Sequence, residues 1–197
     1  MDYIIRKAQE SDCKNIAFAL TKSFEKIFSA FTKDMELMAK VFENGITFER
    51  FFVAEQNSKI IGIIGCGDCK RRVIKSTKEE CKKYLGYIKG NIVFCIIKKE
   101  LMRPLTYPET TGNIDVVGVL AEARGKGLAK ELLKEIMENN PQYNEFILEV
   151  DSINTSAIKS YTDFGFIEYK REPIIKFFKR SRIFMRYEKH RVIKELL

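Results

Sequence analysis

Residues 114–136 read Ile114-Asp-Val-Val-Gly-Val-Leu-Ala-Glu-Ala-Arg124-Gly-Lys-Gly127-Leu-Ala-Lys-Glu-Leu-Leu-Lys-Glu-Ile136 and hold the strongest structural signal of the chain. An apolar strand runs into a basic turn with two glycines, and the turn opens directly into an amphipathic helix. The first amides of a helix have no intrahelical partner and lie at the positive end of its dipole, so they attract anions. Glycine lets the backbone approach a ligand closely. The pattern therefore predicts a site for a phosphate or pyrophosphate group.

A second segment repeats the order of strand, turn and helix. Residues 146–154 read as a half-buried strand and a turn, and a predicted helix follows. Ala157 and Tyr161 are four residues apart, so a helix places them on one face. Gly165 is predicted to end that helix as its C-cap residue, before another strand begins at Phe166.

Two common phosphate-binding motifs do not fit the first segment. The loop Gly-x-x-x-x-Gly-Lys-Ser/Thr is absent, and Lys130 stands where a dinucleotide-binding loop needs its third glycine. The spacing Arg124-x-x-Gly127-x-Ala129 instead resembles the coenzyme A pyrophosphate loop of the GNAT superfamily of N-acyltransferases. The second segment is similar to the other coenzyme A segment of that superfamily, through Leu148, Val150, Asn154, Ala157, Tyr161, Gly165 and Phe166.

The resemblance implies an α/β (α+β) fold, in which a central, mixed, mostly antiparallel and twisted sheet is flanked by helices. It also implies acetyl-CoA as co-substrate and no metal. Asn154 would bond the pantetheine arm or brace the turn beside Ala157, and Tyr161 would give a proton to the leaving thiolate. The coenzyme strand would hold the pantetheine arm and the glycine loop the pyrophosphate, through Val117, Gly118, Val119, Arg124, Gly125, Lys126, Gly127, Leu128 and Ala129.

The general base is less well defined by the sequence. An alkylamine with a pKa near ~10.4 is almost entirely protonated at neutral pH, so a proton must be removed before attack. Some relatives carry a glutamate at the place of Asn113, which cannot act as a base. Asp115 is the nearest carboxylate on that strand and is the candidate base, with Glu55 and Glu149 as alternatives. A water relay without a single base is an equal alternative.

Composition points to one small domain that spans residues 1–197. The five cysteines, an odd number, do not form a disulfide framework, and we expect reduced thiols in a cytoplasm. Cys66 and Cys69 form a single CxxC pair and the only histidine is His190, so no metal site is predicted. The N-terminus lacks a signal-peptide pattern, and the longest uncharged apolar run, 92–97, is too short to span a bilayer.

The positive charge is concentrated at one end. The chain has a formal net charge of +8, and residues 170–197, a predicted basic strand and tail, hold ten basic and three acidic residues. Such an end attracts phosphates, acidic proteins or anionic lipid, whereas the simpler interpretation is a solvated terminus. No recognition helix or RNA-binding aromatic pair is present, so no specific nucleic-acid partner is expected.

The rest of the chain gives a consistent order of elements. We expect a strand at 3–6, a helix from Ser11 or Asp12 to about Lys26, a helix from Thr32, and a hairpin of 51–55 with 59–65. Residues 67–113 form a variable helical insertion before the coenzyme strand. Its first helix is predicted from the capping-box spacing Ser76 to Glu79 through about Tyr87, and its second from Asn91 through Leu101.

A further hypothesis is that the insertion shapes the binding site of the acceptor amine. Apolar and aromatic residues of the insertion could wall an acceptor pocket, or pack as an ordinary core: Tyr84, Tyr87, Ile88, Phe94 and Met102. The function expected is transfer of an acetyl group to a primary amine of a small molecule or a protein. A coenzyme A sensor without catalysis is the alternative, and an enzyme directed by its basic end to a membrane or nucleic acid is a third. The resemblance also suggests a homodimer.

Overall fold

The computed structural model describes residues 2–174 and 180–189 and contains one open, seven-stranded sheet. His190 and the basic positions 176, 179, 191 and 194 lie outside the described residues. The strand order is β1-β2-β3-β4-β5-β7-β6, and all pairs are antiparallel except β4 with β5. The strands are β1 (Ile4–Lys7), β2 (Phe51–Gln56), β3 (Lys59–Gly67), β4 (Thr111–Val119), β5 (Glu145–Asp151), β6 (Ile167–Pro173) and β7 (Ser181–Glu188).

Seven α-helices accompany this sheet in the described part of the chain. They are α1 (Cys13–Ser23), α2 (Glu25–Phe28), α3 (Met35–Glu43), α4 (Lys78–Leu85), α5 (Tyr87–Glu100), α6 (Leu128–Glu138) and α7 (Thr155–Phe164). The predicted mixed, mostly antiparallel sheet with flanking helices is therefore confirmed. The insertion supplies α4 and α5, which lie between β3 and β4 in the chain.

The sheet separates two apolar cores. On one face, Ile63 and Val116 pack with side chains of α1, α3, α4 and α5. On the other face, Ile114 and Leu148 pack with side chains of α6 and of α7. Each face of the sheet is thus covered by helices, which explains why most of β2 and β3 is buried along its length.

The N-terminal helix differs from its prediction. The expected continuous helix to Lys26 is divided at Phe24, whose φ of −110° and ψ of 25° are not helical. Phe24 packs against the first core, so tertiary packing overrides a locally helical sequence. The helix predicted to start in the stretch from Thr32 has Asp34 as its cap, because the Asp34 carboxylate accepts from the Leu37 amide at 2.9 Å.

The insertion has its two predicted helices, with different boundaries. Thr77, and not Ser76, caps α4, since its hydroxyl accepts from the Glu80 amide at 3.1 Å. Ser76 instead donates its hydroxyl to the Val41 carbonyl at 2.8 Å, which fixes the insertion to α3. Helix α5 begins at Tyr87, four residues before the predicted Asn91, directly after a glycine with φ of 77°.

The structure also bears on two classes of site. Within residues 2–174 and 180–189, no helix is long and apolar enough to cross a membrane. Among the same residues, no cluster of three or more histidine, cysteine or carboxylate side chains is arranged to hold a metal ion.

Candidate coenzyme site

Strands β4 and β5 separate at the centre of the sheet. They pair in parallel only from Thr111 with Glu145 to Ile114 with Leu148, although β4 continues to Val119. On its other edge, β4 stays paired with β3 up to Val119. The register with β3 shifts opposite Asp115, which is an extra residue on β4, so the strand bulges where its pairing with β5 ends. The bulge and the loss of pairing open a gap between two parallel strands.

The backbone of β4 turns its polar groups toward this gap at alternate residues. The Leu120 amide donates to the Ile61 carbonyl of the β3 side at 2.9 Å. Because bonded and non-bonded pairs alternate along an antiparallel ladder, the polar groups of Val117 and Val119 point away from β3. These are two of the residues predicted to hold the pantetheine arm. Gly118 lies between them with its polar groups toward β3.

Gly118 is also a point of close approach between β4 and α1. A Cβ atom on Gly118 would lie 2.9 Å from Ser23 Oγ and 3.0 Å from Ile63 Cγ1. The Ser23 hydroxyl is buried and has no hydrogen-bond partner among the described residues. Helix α1 therefore ends directly on β4, and the Ser23 hydroxyl lies beside Gly118. No local pattern in the sequence signals this contact.

The predicted phosphate loop leads from the end of β4 into α6. Gly125 and Gly127 have φ values of 75° and 82°, and no atom lies within 4 Å of where a Cβ on either would stand. Gly127 is the N-cap of α6, and its carbonyl accepts from the Lys130 amide at 2.9 Å. Leu128 anchors the helix, because its side chain is 2% exposed, while Ala129 follows it at the helix start. The loop thus combines exposed backbone with the positive end of a helix dipole.

The basic side chains of this loop are held by backbone carbonyls. Arg124 donates from Nε to the Val119 carbonyl at 2.9 Å and from its guanidinium to the Ser23 carbonyl at 3.2 Å. Lys126 donates to the Glu122 carbonyl at 2.9 Å. Arg124 therefore joins the loop both to the gap and to the end of α1. Its guanidinium forms no ion pair within the described residues.

The second segment forms the strand, turn and helix that its sequence predicts. Asn154 caps α7, since its side-chain oxygen accepts from the Ala157 amide at 3.3 Å, so it braces the turn. Gly165 ends the helix with φ of 115°, which confirms the predicted C-cap. This helix packs beside α6 in the second core, so both predicted segments lie on the same face of the sheet.

Tyr161 is buried in that core. Its side chain is 8% exposed, and its ring lies 6.0 Å from the ring of Phe166. Burial raises the pKa of Tyr161 to about 12. The phenol therefore stays protonated at neutral pH and is available as a hydrogen-bond donor. Its hydroxyl has no hydrogen-bond partner among the described residues.

Asp115 is engaged with the start of the insertion. Its side chain is 2% exposed, forms a 2.8 Å ion pair with Arg72, and accepts from the Val73 amide at 2.9 Å. Asn113 donates its side-chain amide to the same carboxylate. Burial raises the pKa of Asp115, against the opposing effect of the Arg72 charge. Both carboxylate oxygens are thus occupied, and no local sequence pattern indicates that Arg72 is the partner.

The alternative carboxylates have partners of their own. Glu55 lies on β2, which β3 separates from the gap, and pairs with Arg6 at 2.7 Å. Glu149 lies on β5 and pairs with Arg103 and with Arg182, the latter at 3.3 Å. Near these carboxylates, Oδ1 of Asn113 is buried and has no hydrogen-bond partner in the described structure.

The insertion residues divide into two groups. Tyr84, Phe94 and Met102 pack against the first core. Tyr87 and Ile88 are 74% and 75% exposed. For Tyr84, Phe94 and Met102 the structure supports ordinary core packing, and Tyr87 and Ile88 face outward.

Comparison with known proteins agrees with this geometry. The model of the acetyltransferase (GNAT) family matches residues 17–166. No curated protein matches the sequence. A structure of an N-acetyltransferase from Staphylococcus aureus Mu50 is similar at a TM-score of 0.59 and 21% identity, over 93% of this chain and 100% of that one. The yncA protein from Salmonella typhimurium, solved with its cofactor acetyl-CoA, has a TM-score of 0.59 and 18% identity, over 94% and 93% of the two chains.

A third similar structure is the ribosomal-protein-alanine N-acetyltransferase from Brucella melitensis. It has a TM-score of 0.59 and 19% identity and covers 94% of this chain and 99% of its own. At these sequence identities the similar structures establish the fold alone. The family model covers about three quarters of the sequence. The gap between β4 and β5, the glycine loop before α6 and the family match agree, and the chain belongs to the GNAT family of acetyltransferases.

Proposed function

We propose that this enzyme transfers an acetyl group from acetyl-CoA to a primary amine of a small molecule or a protein. The observation that carries the proposal is the gap between β4 and β5, which opens beside the glycine loop of α6. A long ligand with a polar arm and a pyrophosphate fits that arrangement. The amide groups of the arm pair with exposed strand backbone, and the pyrophosphate accepts from the first amides of a helix.

The donor site in this proposal uses the residues predicted for it. Backbone groups of Val117 and Val119 bind the pantetheine arm, and Gly118 keeps β4 close to α1. The loop from Arg124 through Gly125, Lys126 and Gly127 to Leu128 and Ala129 binds the pyrophosphate, mainly through its backbone. Asn154 and Ala157 form the capped turn on the opposite side of the gap. Support comes from the open space at Gly125 and Gly127 and from the end of the β4–β5 pairing at Ile114 and Leu148.

The chemistry needs no covalent enzyme intermediate, because a thioester is already activated. The neutral amine attacks the thioester carbonyl carbon, the carbon–sulfur bond breaks, and the amine nitrogen loses a proton. Amides on the open edge of β4 stabilise the carbonyl oxygen as it gains charge. Tyr161 donates a hydrogen bond to the leaving sulfur. A full proton transfer from a phenol of pKa about 12 to a thiolate of pKa ~8.5 would be uphill, so the hydrogen bond carries the effect.

Removal of the amine proton is assigned to water held near Asn113, with Asp115 acting through its neighbours. The buried Asn113 oxygen has no partner within the described residues and can accept from a water or from the amine. Asp115 fixes the orientation of that amide, because it accepts from the Asn113 nitrogen. A direct base role for Asp115 would require it to give up the Arg72 ion pair or the Val73 hydrogen bond. The homodimer and the cytoplasmic location stay predictions from the sequence.

The first test is a thermal melt with and without saturating acetyl-CoA. Ligand at a hundred times its dissociation constant adds about 2.7 kcal/mol, or roughly 5 to 11 °C for a chain of this size. Gly127→Glu places bulk and negative charge in the loop and should abolish the rise. Gly86→Glu is the matched control, because Gly86 has φ of 77° and equally open surroundings but lies in the insertion.

A rise that survives Gly127→Glu, or disappears equally in Gly86→Glu, would overturn the loop assignment. Once binding is established, release of coenzyme A thiol in the presence of a panel of primary amines identifies the acceptor. Binding without turnover on small amines, peptide N-termini and lysine peptides would favour the coenzyme A sensor over the proposed transferase.

A further inference from the structure

The outer face of α5 is apolar, and the inner face is apolar as well. Gly90, Val93 and Ile97 are buried toward the first core. On the opposite side, Ile88, Ile92 and Ile96 follow each other at intervals of four residues and are 75%, 51% and 40% exposed. Residues four apart lie one above the other on a helix, so the three isoleucines form one stripe about 12 Å long. Exposed Cys95 extends the stripe sideways.

This stripe is a concentrated feature of the surface. Single exposed isoleucines are ordinary and need no explanation. Here, however, four large exposed hydrophobic residues belong to one helix of 14 residues, because Tyr87 at its start is 74% exposed. The isoleucine stripe with Tyr87 is called the outer face of α5 below. The inner face already satisfies the need of α5 to pack, so the outer face is not required by the fold.

Lysines surround the outer face. Lys89, Lys98 and Lys99 lie on α5 and are exposed, and Lys82 and Lys83 lie on the adjoining α4. Lys82 Nζ stands 4.7 Å from the centre of the Tyr87 ring. Within residues 2–174 and 180–189, none of these five lysines forms an ion pair with a carboxylate. The apolar stripe is therefore rimmed by positive charge that the described structure does not neutralise.

The charge of the insertion as a whole points the same way. Residues 67–113 hold eleven basic and five acidic residues, a net charge of +6, whereas residues 114–169 hold five basic and ten acidic residues. Residues 1–169 are nearly neutral as a whole, because the acidic residues of 114–169 balance the basic insertion. The exposed isoleucines lie on α5, and the lysines near them lie on α4 and α5.

We propose that the outer face of α5 docks on an anionic lipid surface. An interfacial helix lies in the plane of the membrane, with aliphatic side chains in the headgroup boundary and lysines against the phosphates. The stripe lies on the exposed side of the helix, where its aliphatic side chains can enter the headgroup boundary. Lysine stems can lie along the apolar surface while their ammonium groups reach the lipid phosphates.

A second copy of this chain fits the face less well. Two outer faces packed together would bring ten lysines into one small interface, and like charges repel there. An anionic surface of lipid neutralises the same rim and accepts the isoleucines as well. The proposal does not depend on the acetyl transfer proposed above, since it uses none of the residues of the coenzyme site.

The experiment is flotation of the full-length protein with vesicles. Vesicles of phosphatidylcholine alone are compared with vesicles containing about 30% phosphatidylserine, at low and at high salt. We expect binding to the anionic vesicles only, lost at high salt. Ile88→Ser/Ile92→Ser should weaken binding at least about tenfold, because it removes aliphatic area that is buried in the membrane. Lys89→Gln/Lys98→Gln/Lys99→Gln should weaken binding by roughly 10- to 100-fold or more, because each lysine near an anionic surface contributes about 1 kcal/mol.

The matched control is Ile4→Ser/Ile167→Ser, which removes two isoleucines that are 61% and 47% exposed on the edge strands β1 and β6. Binding should be unchanged in that variant. The melting temperature and the rise with acetyl-CoA should be unchanged in every variant, which separates loss of docking from loss of the fold or of the coenzyme site.

Three results would overturn the proposal. One is absence of binding to anionic vesicles at low salt. Another is binding that survives both α5 variants, or that is lost equally in the control. The third is a wild-type dimer in light scattering that Ile88→Ser/Ile92→Ser converts to a monomer, because a second copy would then occupy the face.

Discussion

The coenzyme region, residues 114–166, and the insertion, residues 67–113, each contain a glycine of positive φ directly before a helix. Gly127 before α6 and Gly86 before α5 have φ values of 82° and 77°, and both lie in open space. Only the first stands beside a gap between two parallel strands. An open glycine before a helix is therefore found in both regions. The separated strands beside Gly127 distinguish the proposed coenzyme site from the simple helix start at Gly86.

The two regions also differ in how their charges are used. In the coenzyme region, Arg124 donates to the carbonyls of Val119 and Ser23, so its orientation is set before any ligand binds. In the insertion, the lysines of α4 and α5 point to solvent around an apolar face. Basic groups held by hydrogen bonds suit a small ligand of fixed shape, whereas exposed lysines without ion pairs suit an extended, fluid surface.

The largest expected effect concerns Asp115, which joins the two regions. Asp115→Asn leaves Arg72, whose side chain is 13% exposed, without its counter-charge. Breaking a buried pair costs about 3–5 kcal/mol, so the melting temperature should fall by roughly 6 to 20 °C. Asp115→Leu/Arg72→Met removes both charges and should recover much of that loss.

Turnover in the double variant then separates the two roles of Asp115. If turnover returns with stability, Asp115 is an anchor and water near Asn113 removes the proton. If stability returns and turnover does not, Asp115 takes part in catalysis, either as the base or by orienting the Asn113 amide.

The next effect compares two buried tyrosines. Tyr161→Phe should lower turnover about a hundredfold and leave coenzyme affinity unchanged, because it removes the donor to the leaving sulfur. Tyr143→Phe is the control, because the Tyr143 phenol donates to Asp68 of the insertion at 2.9 Å. That change should lower stability by about 1 kcal/mol and spare turnover. Equal turnover losses in both variants would mean that Tyr161 acts only through packing.

The pH profile provides a further check on Tyr161. Its protonated form is the active one, so activity is lost as pH rises through its pKa. Because burial raises that pKa to about 12, no fall assignable to Tyr161 should appear near pH 10, the usual range of a tyrosine. A fall near pH 10 that is absent in Tyr161→Phe would contradict the burial seen here.

A smaller effect is expected at two glycines that allow close approach. Gly118→Ala brings a Cβ to 2.9 Å from Ser23 Oγ and should cost about 1–3 kcal/mol, together with coenzyme affinity. Ser23→Gly in the same chain should relieve the contacts with Ser23 and restore part of both, because Ile63 Cγ1 still lies 3.0 Å from the new Cβ. Gly90→Ala in the insertion meets backbone of α4 at 2.6 Å, so it should destabilise without any effect on coenzyme affinity relative to the folded fraction. Failure of Ser23→Gly to rescue Gly118→Ala would remove Ser23 from the edge of the site.

The coenzyme region was largely predictable because its determinants are local. The glycine loop, the capping Asn154 and the C-cap Gly165 each depend on residues within a few positions of one another. The insertion was predictable only as two helices, and their boundaries moved when Thr77 took the cap and Ser76 bonded Val41. Long-range contacts were not predictable: the pairing of Asp115 with Arg72 spans two segments that no sequence period connects, and so does the approach of Ser23 to Gly118.

The smallest effect compares two helix caps, one from each region. Asn154→Ala removes the cap of α7 and Thr77→Ala removes the cap of α4, and each should cost about 1 kcal/mol, or roughly 2 to 4 °C. The two variants should therefore melt alike without ligand. Only Asn154→Ala should also weaken acetyl-CoA binding, because its turn borders the gap between β4 and β5. Asn154→Asp keeps a capping oxygen and should restore stability, so any remaining loss of affinity would report contact with the coenzyme and not the cap. Equal affinities in all three variants would leave Asn154 with the structural role alone.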